Sequence, residues 1–368
     1  MSHAEPHRDP QPTPEPLVLA RRDGAVTHLT LNRPRAINAL SSEMFSLLDE
    51  AITRVQTDGS EAILLDGAGE RGFCGGGDIK EISGGNGRRI LATEYRVDHA
   101  LAVSAVPVVA VMDGIAMGGG IGLGGHARVR VVTERSRLAM PEVRIGIVPD
   151  VGGHLLLARA PGRLGELLAV TAGEMSGADA IALGFADYFV PSERLGALRE
   201  ALVAGEEPGA VARRLAEAAP TSELLDAASW WEPLLETAVE RAGGSAFRAP
   251  KQTALHLVAL LEEESHARRS AVAATMRAMS PTSIAVTLAQ LERTRERSLD
   301  LAAVLADDLR VLGRLDDLPD FAEGVRAQII DKDRAPRWSP ASLEDLNDEV
   351  LARILDPEPR VGEAPLVL

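Results

Sequence analysis

The chain has 368 residues, 45% of them hydrophobic, a mean hydropathy near zero and a formal net charge of −15. That is enough apolar material for one large domain or two modest ones, and no apolar run approaches the length of a membrane span. The acidity excludes sequence-independent nucleic-acid binding, which needs Lys and Arg against phosphates, and the single cysteine, Cys74, excludes an internal disulfide and fits a reducing, cytoplasmic setting.

Residues 1–16 are polar, rich in Pro and His, and lack the basic-then-apolar pattern of a secretory signal, so a disordered tail is expected there. Leu17 to Arg21 and Val26 to Leu31 read as paired strands turning at Asp23-Gly24. Ser41 and Ser42 can cap a helix to about Val55, with Met44, Leu47, Leu48, Ala51 and Ile52 on its apolar face. Buried strands are expected at Ala62–Leu65, Val108–Met112 and Val129–Thr133, with a helix from about Arg88 to Ala105 that stops before Pro107. From about Gly162 the pattern is helical, broken at Gly173, Gly205 to Gly209, Gly243-Gly244 and Pro281. The expected organisation is a core over 17–205 and a helical region over 206–368, a division within one folded unit.

Three clusters can carry chemistry. In Cys74-Gly75-Gly76-Gly77-Asp78, three glycines after a strand permit positive φ and close approach of backbone to a ligand; a tight turn is the plain alternative. Gly118-Gly119-Gly120 opens a helix, whose first N–H groups are unpaired and suit an oxyanion. Gly120, Gly122 and Gly125 also spell the dinucleotide fingerprint, but lack the first-strand setting and trailing acid of that fold. In the third cluster Glu142 follows Pro141 and Asp150 follows Pro149, among apolar neighbours. Burial there would raise a carboxyl into the range of a general base, while helix capping is the structural alternative for both. The eight histidines are scattered without paired metal spacing, so no metal is expected.

Asn32-Arg33-Pro34-Arg35-Ala36-Ile37-Asn38-Ala39-Leu40, the Phe73–Lys80 segment, the glycine triplet and Pro141-Glu142 stand in the order and spacing of the crotonase superfamily, which the chain resembles from about Leu17 to Trp338. The resemblance implies an α/β fold, a spiral of strand–strand–helix repeats followed by a helical region, and a coenzyme A thioester as substrate. It implies an oxyanion hole of the Gly77 and Gly119 N–H groups, a coenzyme A segment at Arg35, Ala36 and Ile37, and further substrate contacts at Glu94 and Asp78. Hydratases of the superfamily carry a glutamate where this chain has Gly122, and a glycine in place of Asp150. Glu142 with Asp150 is instead the pattern of the branch that hydrolyses short 3-hydroxyacyl-CoA thioesters such as 3-hydroxyisobutyryl-CoA in valine breakdown. Ser280-Pro281-Thr282-Ser283 and the Asp320–Ala327 segment agree with that branch; Gly124 and the stretch Leu312 to Pro319 depart from it. The resemblance thus implies catalysis by Glu142, as base or nucleophile, and Asp150, with no cofactor beyond the coenzyme A of the substrate. An enoyl-CoA hydratase or isomerase and a non-catalytic acyl-CoA-binding protein are the alternatives. Trimers through C-terminal helices are common in the superfamily, and a C-terminal region this long can instead fold back over its own site.

Overall fold

The structure, a computed structural model, describes residues 15–368, so the tail expected at 1–16 lies outside the described residues but for its last two positions. The strands in chain order are β1 (Val18–Asp23), β2 (Val26–Leu31), β3 (Ala62–Gly67), β4 (Gly72–Cys74), β5 (Val108–Val111), β6 (Ile115–Met117), β7 (Val129–Val132), β8 (Arg137–Ala139), β9 (Glu174–Ser176) and β10 (Tyr188–Phe189). β1 and β2 form the expected hairpin, with Asp23 opposite Val26 and Gly24 at φ +54° in the two-residue turn. The next helix, Ser42–Val55, begins where Ser41 Oγ accepts from the Met44 N–H at 3.3 Å, and it buries Met44, Phe45, Leu48, Ala51, Ile52 and Val55.

From β3 the chain repeats one path. A strand enters a six-stranded sheet, a short strand enters a four-stranded sheet, and a helix or turn leads back. The repeats are β3, β4 and helix Gly87–Val103; β5, β6 and helix Gly119–Gly125; β7, β8 and the 3-10 turn Glu142–Ile145. The sheet orders are β1-β2-β3-β5-β7-β10 and β4-β6-β8-β9, with β3, β5 and β7 mutually parallel, as are β4, β6 and β8. This is the strand–strand–helix spiral that the resemblance implies. β3 and β5 are covered on both faces, which is why they read as unbroken apolar runs rather than alternating ones.

Two strands interrupt the stretch from Gly162 that reads as purely helical. β9 and β10 have three and two residues, too short for a period-two pattern to register. Beyond them the chain is helical. Helix Pro281–Arg297 is buried at every position from Pro281 to Thr294, and one hydrophobic core joins Leu65 and Ile121 of the spiral to Leu288 and Leu309 of the helical region. No described helix is long and apolar enough to cross a membrane.

Candidate active site

Parallel pairing of β4, β6 and β8 sets their carboxyl ends side by side, so the three segments that follow them converge. After β4 comes Gly75-Gly76-Gly77, with Gly76 at φ +99°. Leu40 N–H donates to the Gly76 carbonyl at 2.9 Å and Asp78 N–H donates to the Leu40 carbonyl at 2.7 Å. The Gly77 N–H therefore points to the opposite side, and among the described residues no carbonyl takes it. After β6 comes Gly118, at φ +49°, whose N–H donates to the Ala139 carbonyl of β8 at 3.1 Å. Gly119 follows as the first residue of its helix, where an N–H has no partner within the helix. A Cβ on Gly119 would stand 3.4 Å from the Gly77 nitrogen, so the two amides share one place.

Glu142 opens the turn after β8 and is 5% exposed; its Oε2 is buried and, among the described residues, has no hydrogen-bond partner. Burial, and then the neighbouring Asp150, push its carboxyl well above the usual range. Asp150 is 6% exposed, and its Oδ2 accepts from the Tyr95 hydroxyl at 2.6 Å. Burial and the charge of Asp308 raise it to about 7, against the lowering effect of the Tyr95 hydrogen bond. Neither acid is a helix cap: helix Gly153–Arg159 is preceded by Gly152 and has no side-chain cap, and the turn at Glu142 has none either. Glu94 comes from helix Gly87–Val103, 2% exposed, and is raised by burial and then by Asp150.

Gly77, Gly119, Glu94, Glu142 and Asp150 all line one cavity of about 290 Å³. The other site residues drawn from the sequence stand apart from its wall. Asp78 pairs with Arg33 at 3.1 Å. Arg35 and Ala36 are exposed, and Ile37 lies against Gly75, which does face the cavity. Cys74 is fully buried below the loop, and burial pushes its thiol up to about 12, which marks it as packing rather than nucleophile.

The helical region supplies one side of the wall: Leu312 and Asp316 of helix Leu301–Asp316, Phe321 of helix Pro319–Val325, and Gln328 and Ile329 beyond it. The C-terminal region thus folds back over the site of its own chain. Two glycines allow this closure. A Cβ on Gly146 would run into the Asp320 backbone, and one on Gly324 into the Ile145 backbone, so the Glu142 turn rests directly on helix Pro319–Val325. Ser280 fastens the joint, its N–H to the Val143 carbonyl at 3.2 Å and its Oγ to Asp320 Oδ2 at 2.7 Å.

Four buried residues of this site were not found from sequence: Tyr95, Asp98, His154 and Asp308. Asp308 accepts from the Gly152 N–H at 3.0 Å and pairs with His154 Nδ1 at 2.6 Å, while His154 Nε2 meets Thr294 Oγ1 at 3.0 Å. Burial alone would lower the His154 imidazole; the Asp308 carboxylate reverses this and holds it above its usual value. The signal for Asp98 and Asp308 is helical spacing, since each acid falls on an apolar stripe: Leu91, Glu94, Tyr95, Asp98, Leu101, and Val304, Leu305, Asp308, Leu312.

The family model described as Enoyl-CoA hydratase/isomerase matches residues 26–355. The chain belongs to this family. Similar curated proteins include the mitochondrial 3-hydroxyisobutyryl-CoA hydrolase of Mus musculus, 37% identical over 345 residues that cover 91% of this chain and 87% of that one. The 3-hydroxyisobutyryl-CoA hydrolase 1 of Arabidopsis thaliana is 33% identical, with coverage of 92% and 91%. Among solved structures, a carnitinyl-CoA dehydratase from Mycobacterium thermoresistibile superposes with a TM-score of 0.83 at 36% identity, covering 94% of this chain and 98% of its own. An enoyl-CoA hydratase from Rhodobacter sphaeroides 2.4.1 gives 0.81 at 37% identity, with coverage of 96% and 100%.

Proposed function

We propose that this family member hydrolyses a short 3-hydroxyacyl-CoA, with 3-hydroxyisobutyryl-CoA as the substrate, to the free hydroxy acid and coenzyme A. The observation that carries this reading is the meeting of two free backbone amides and two buried carboxyls, Glu142 and Asp150, on one cavity wall. The names of the curated relatives support it. The thioester carbonyl oxygen accepts from the Gly77 and Gly119 N–H groups, which stabilise the negative oxygen as the tetrahedral intermediate forms. Glu142, made more basic by burial, takes a proton from water as the water oxygen bonds to the carbonyl carbon. The intermediate collapses, the C–S bond breaks, and coenzyme A leaves as a thiolate that is then protonated. Asp150, steadied by Tyr95, accepts the 3-hydroxyl of the acyl group. Attack by Glu142 itself, through a mixed anhydride that water cleaves, yields the same products; ¹⁸O found in Glu142 after one turnover in labelled water identifies that route, with the water adding to the glutamyl carbonyl.

The proposed chemistry needs no cofactor beyond the coenzyme A of the substrate, and the pocket is closed by the chain's own helices, so no second subunit is required. The compartment we propose is the cytoplasm, which a chain with a single cysteine fits, although the vertebrate relatives carry mitochondrial in their names. A hydratase reading takes support from the names of the two solved structures. Against it stands Gly122: a Cβ there would fall 2.7 Å from both Asp98 Oδ2 and Val151 Cβ, so no second carboxyl can project from that position.

The test is thiol release from 3-hydroxyisobutyryl-CoA beside hydration of crotonyl-CoA. Rapid release without hydration is the expected result; hydration without release would assign the site to the other branch.

A further inference from the structure

Five carboxyl groups crowd this site: Glu94, Asp98, Glu142, Asp150 and Asp308. Asp308 has His154 as counter-ion and Asp150 has the Tyr95 hydroxyl, while Glu94 and Glu142 reach the cavity. Asp98 has none of these. It is 0% exposed, does not border the cavity, and among the described residues no N–H or O–H donates to either of its oxygens. The titratable groups that act on it are Glu94 on its own helix, Asp150 on the loop and Asp308 on helix Leu301–Asp316, and the buried Cys74 thiol in turn feels its charge.

Its placement is specific. Asp98 Oδ2 and Cγ lie 2.7 and 3.0 Å from where a Cβ on Gly122 would stand, and Glu94 Oε1 occupies the corresponding space at Gly119. Two acids one turn apart on helix Gly87–Val103 are thus seated on two glycines one turn apart on helix Gly119–Gly125. Residues at i and i+4 have Cβ atoms roughly 6 Å apart, so the two carboxyls can reach each other. An ionised Asp98 would be a dry, unpaired charge, one turn beneath the Gly119 amide, where it would oppose a forming oxyanion. A neutral Asp98 is instead a hydrogen-bond donor, and Glu94, one turn earlier on the same helix face, is the acceptor that helical spacing sets beside it. Burial, followed by the charge of Glu94, acts in that direction.

We propose that Asp98 is a positioning residue that works as a neutral acid, donating its O–H to Glu94 and holding that carboxyl against the Gly119 amide where substrate binds. The role rests on the reading of the cavity as a thioester site. Glu94, fixed from behind, keeps its outer oxygen toward the cavity, and the oxyanion hole is spared a charge below it. As pH rises and Asp98 ionises, the donor becomes a charge and turnover falls.

The experiment compares full-length wild type with Asp98→Asn and Asp98→Ala. A difference infrared spectrum of wild type minus Asp98→Asn, taken without substrate at neutral pH, should show the C=O band of a protonated carboxyl in dry surroundings. Asp98→Asn keeps a donor and loses the ionisation, so kcat for thiol release should stay within about threefold of wild type and the alkaline fall of kcat should move to higher pH. Asp98→Ala should lose roughly tenfold in kcat at neutral pH, the loss of one hydrogen bond to a functional group. The proposal is overturned if the band is absent, if the Asn variant keeps the wild-type alkaline limb, or if Asp98→Ala turns over as fast as wild type. Should the Ala variant fail to fold, the Asn variant alone decides through the band and the limb. Absence of thiol release by wild type would remove the proposed function instead, and the substrate-free band would still decide whether Asp98 holds its proton.

Discussion

The loops at the ends of β4, β6 and β8 and the helices from Pro281 onward face each other across one cavity and contribute in different ways. The loops bring backbone: the Gly77 and Gly119 amides, made reachable by glycine and by turns at Gly76 and Gly118 that few other residues could adopt. The helices bring a mostly apolar wall, with Asp316 and Gln328 in it, and among their buried charged residues Asp308, which does not line this cavity and holds the loop that carries Asp150. Changes on the two sides should therefore register differently. A change on the loop side should cost turnover, and a change on the helical side should cost the architecture that keeps the loops apart.

The largest effect is expected on the loop side. Glu142→Gln preserves shape and removes the base, and kcat should fall by about 10³-fold, within the range for a positioned acid–base group, with KM for the thioester nearly unchanged. Thiol-release kinetics with a direct measurement of substrate binding check this. A variant that retains a tenth of wild-type kcat would move the chemistry away from Glu142.

The sharpest contrast is with Asp308→Asn. It leaves the cavity wall intact and deprives the buried His154 of its counter-charge, which costs about 3 kcal/mol when one member of such a pair is removed. Thermal unfolding should show most of the effect, while kcat falls less than in Glu142→Gln. Because Asp308 also raises Asp150, the acid limb of kcat/KM should move to lower pH in the same variant. An unchanged melting temperature would mean that the helical half does not brace the loop.

The two sides were unequally legible in the sequence. The loop groups sit in short segments whose glycines, prolines and acids carry the resemblance to the crotonase superfamily, and it is that resemblance which names Gly77, Gly119, Glu142 and Asp150; the strand–strand–helix repeats come with it too, since the sequence itself shows no clean period. Asp308 could not be named from the chain, because its partner His154 lies 154 positions earlier and the pair exists only once helix Leu301–Asp316 has packed on the spiral. Tyr95 reads as an ordinary core aromatic until its hydroxyl is seen 55 positions away on Asp150. Asp78 shows what a local motif leaves open: its segment is recognisable, but only the structure shows that its carboxylate pairs with Arg33 and stands outside the wall of this cavity.

The pH dependence joins both sides. Asp150 has a folded-state value of about 7 against an ordinary 3.8, raised by burial and by Asp308. A carboxyl raised on folding contributes stability that is complete below its unfolded value and is lost as pH rises through the folded one. This group should therefore lower the melting temperature between about pH 4 and pH 7, while kcat/KM climbs over the same window as Asp150 ionises, roughly tenfold per pH unit below 7. Asp150→Asn should flatten the stability slope and leave an activity limb set by Glu142 alone, at lower pH because the Asp150 charge that raises Glu142 is gone. A limb at the wild-type position in that variant would assign it to another acid of the cluster.

The smallest effect tests the rigidity of the loop side. Cys74 lies under helix Gly119–Gly125, where a Cβ on Gly120 would stand 2.9 Å from its own Cβ, and its Sγ accepts from the Gly76 N–H at 3.4 Å. Cys74→Ala removes one buried sulfur directly beneath the Gly119 amide, a loss worth about 1 kcal/mol by analogy with single-group core deletions. If β4 and the helix hold the amides as firmly as their close backbone contacts imply, the melting temperature should drop by a few degrees with kcat within about twofold of wild type. A much larger fall in kcat at unchanged KM would mean either that the thiol takes part in the chemistry or that the oxyanion site relaxes into the space left behind. Cys74→Ser separates these: it restores volume and polarity without a comparable nucleophile, so recovery of kcat would point to packing.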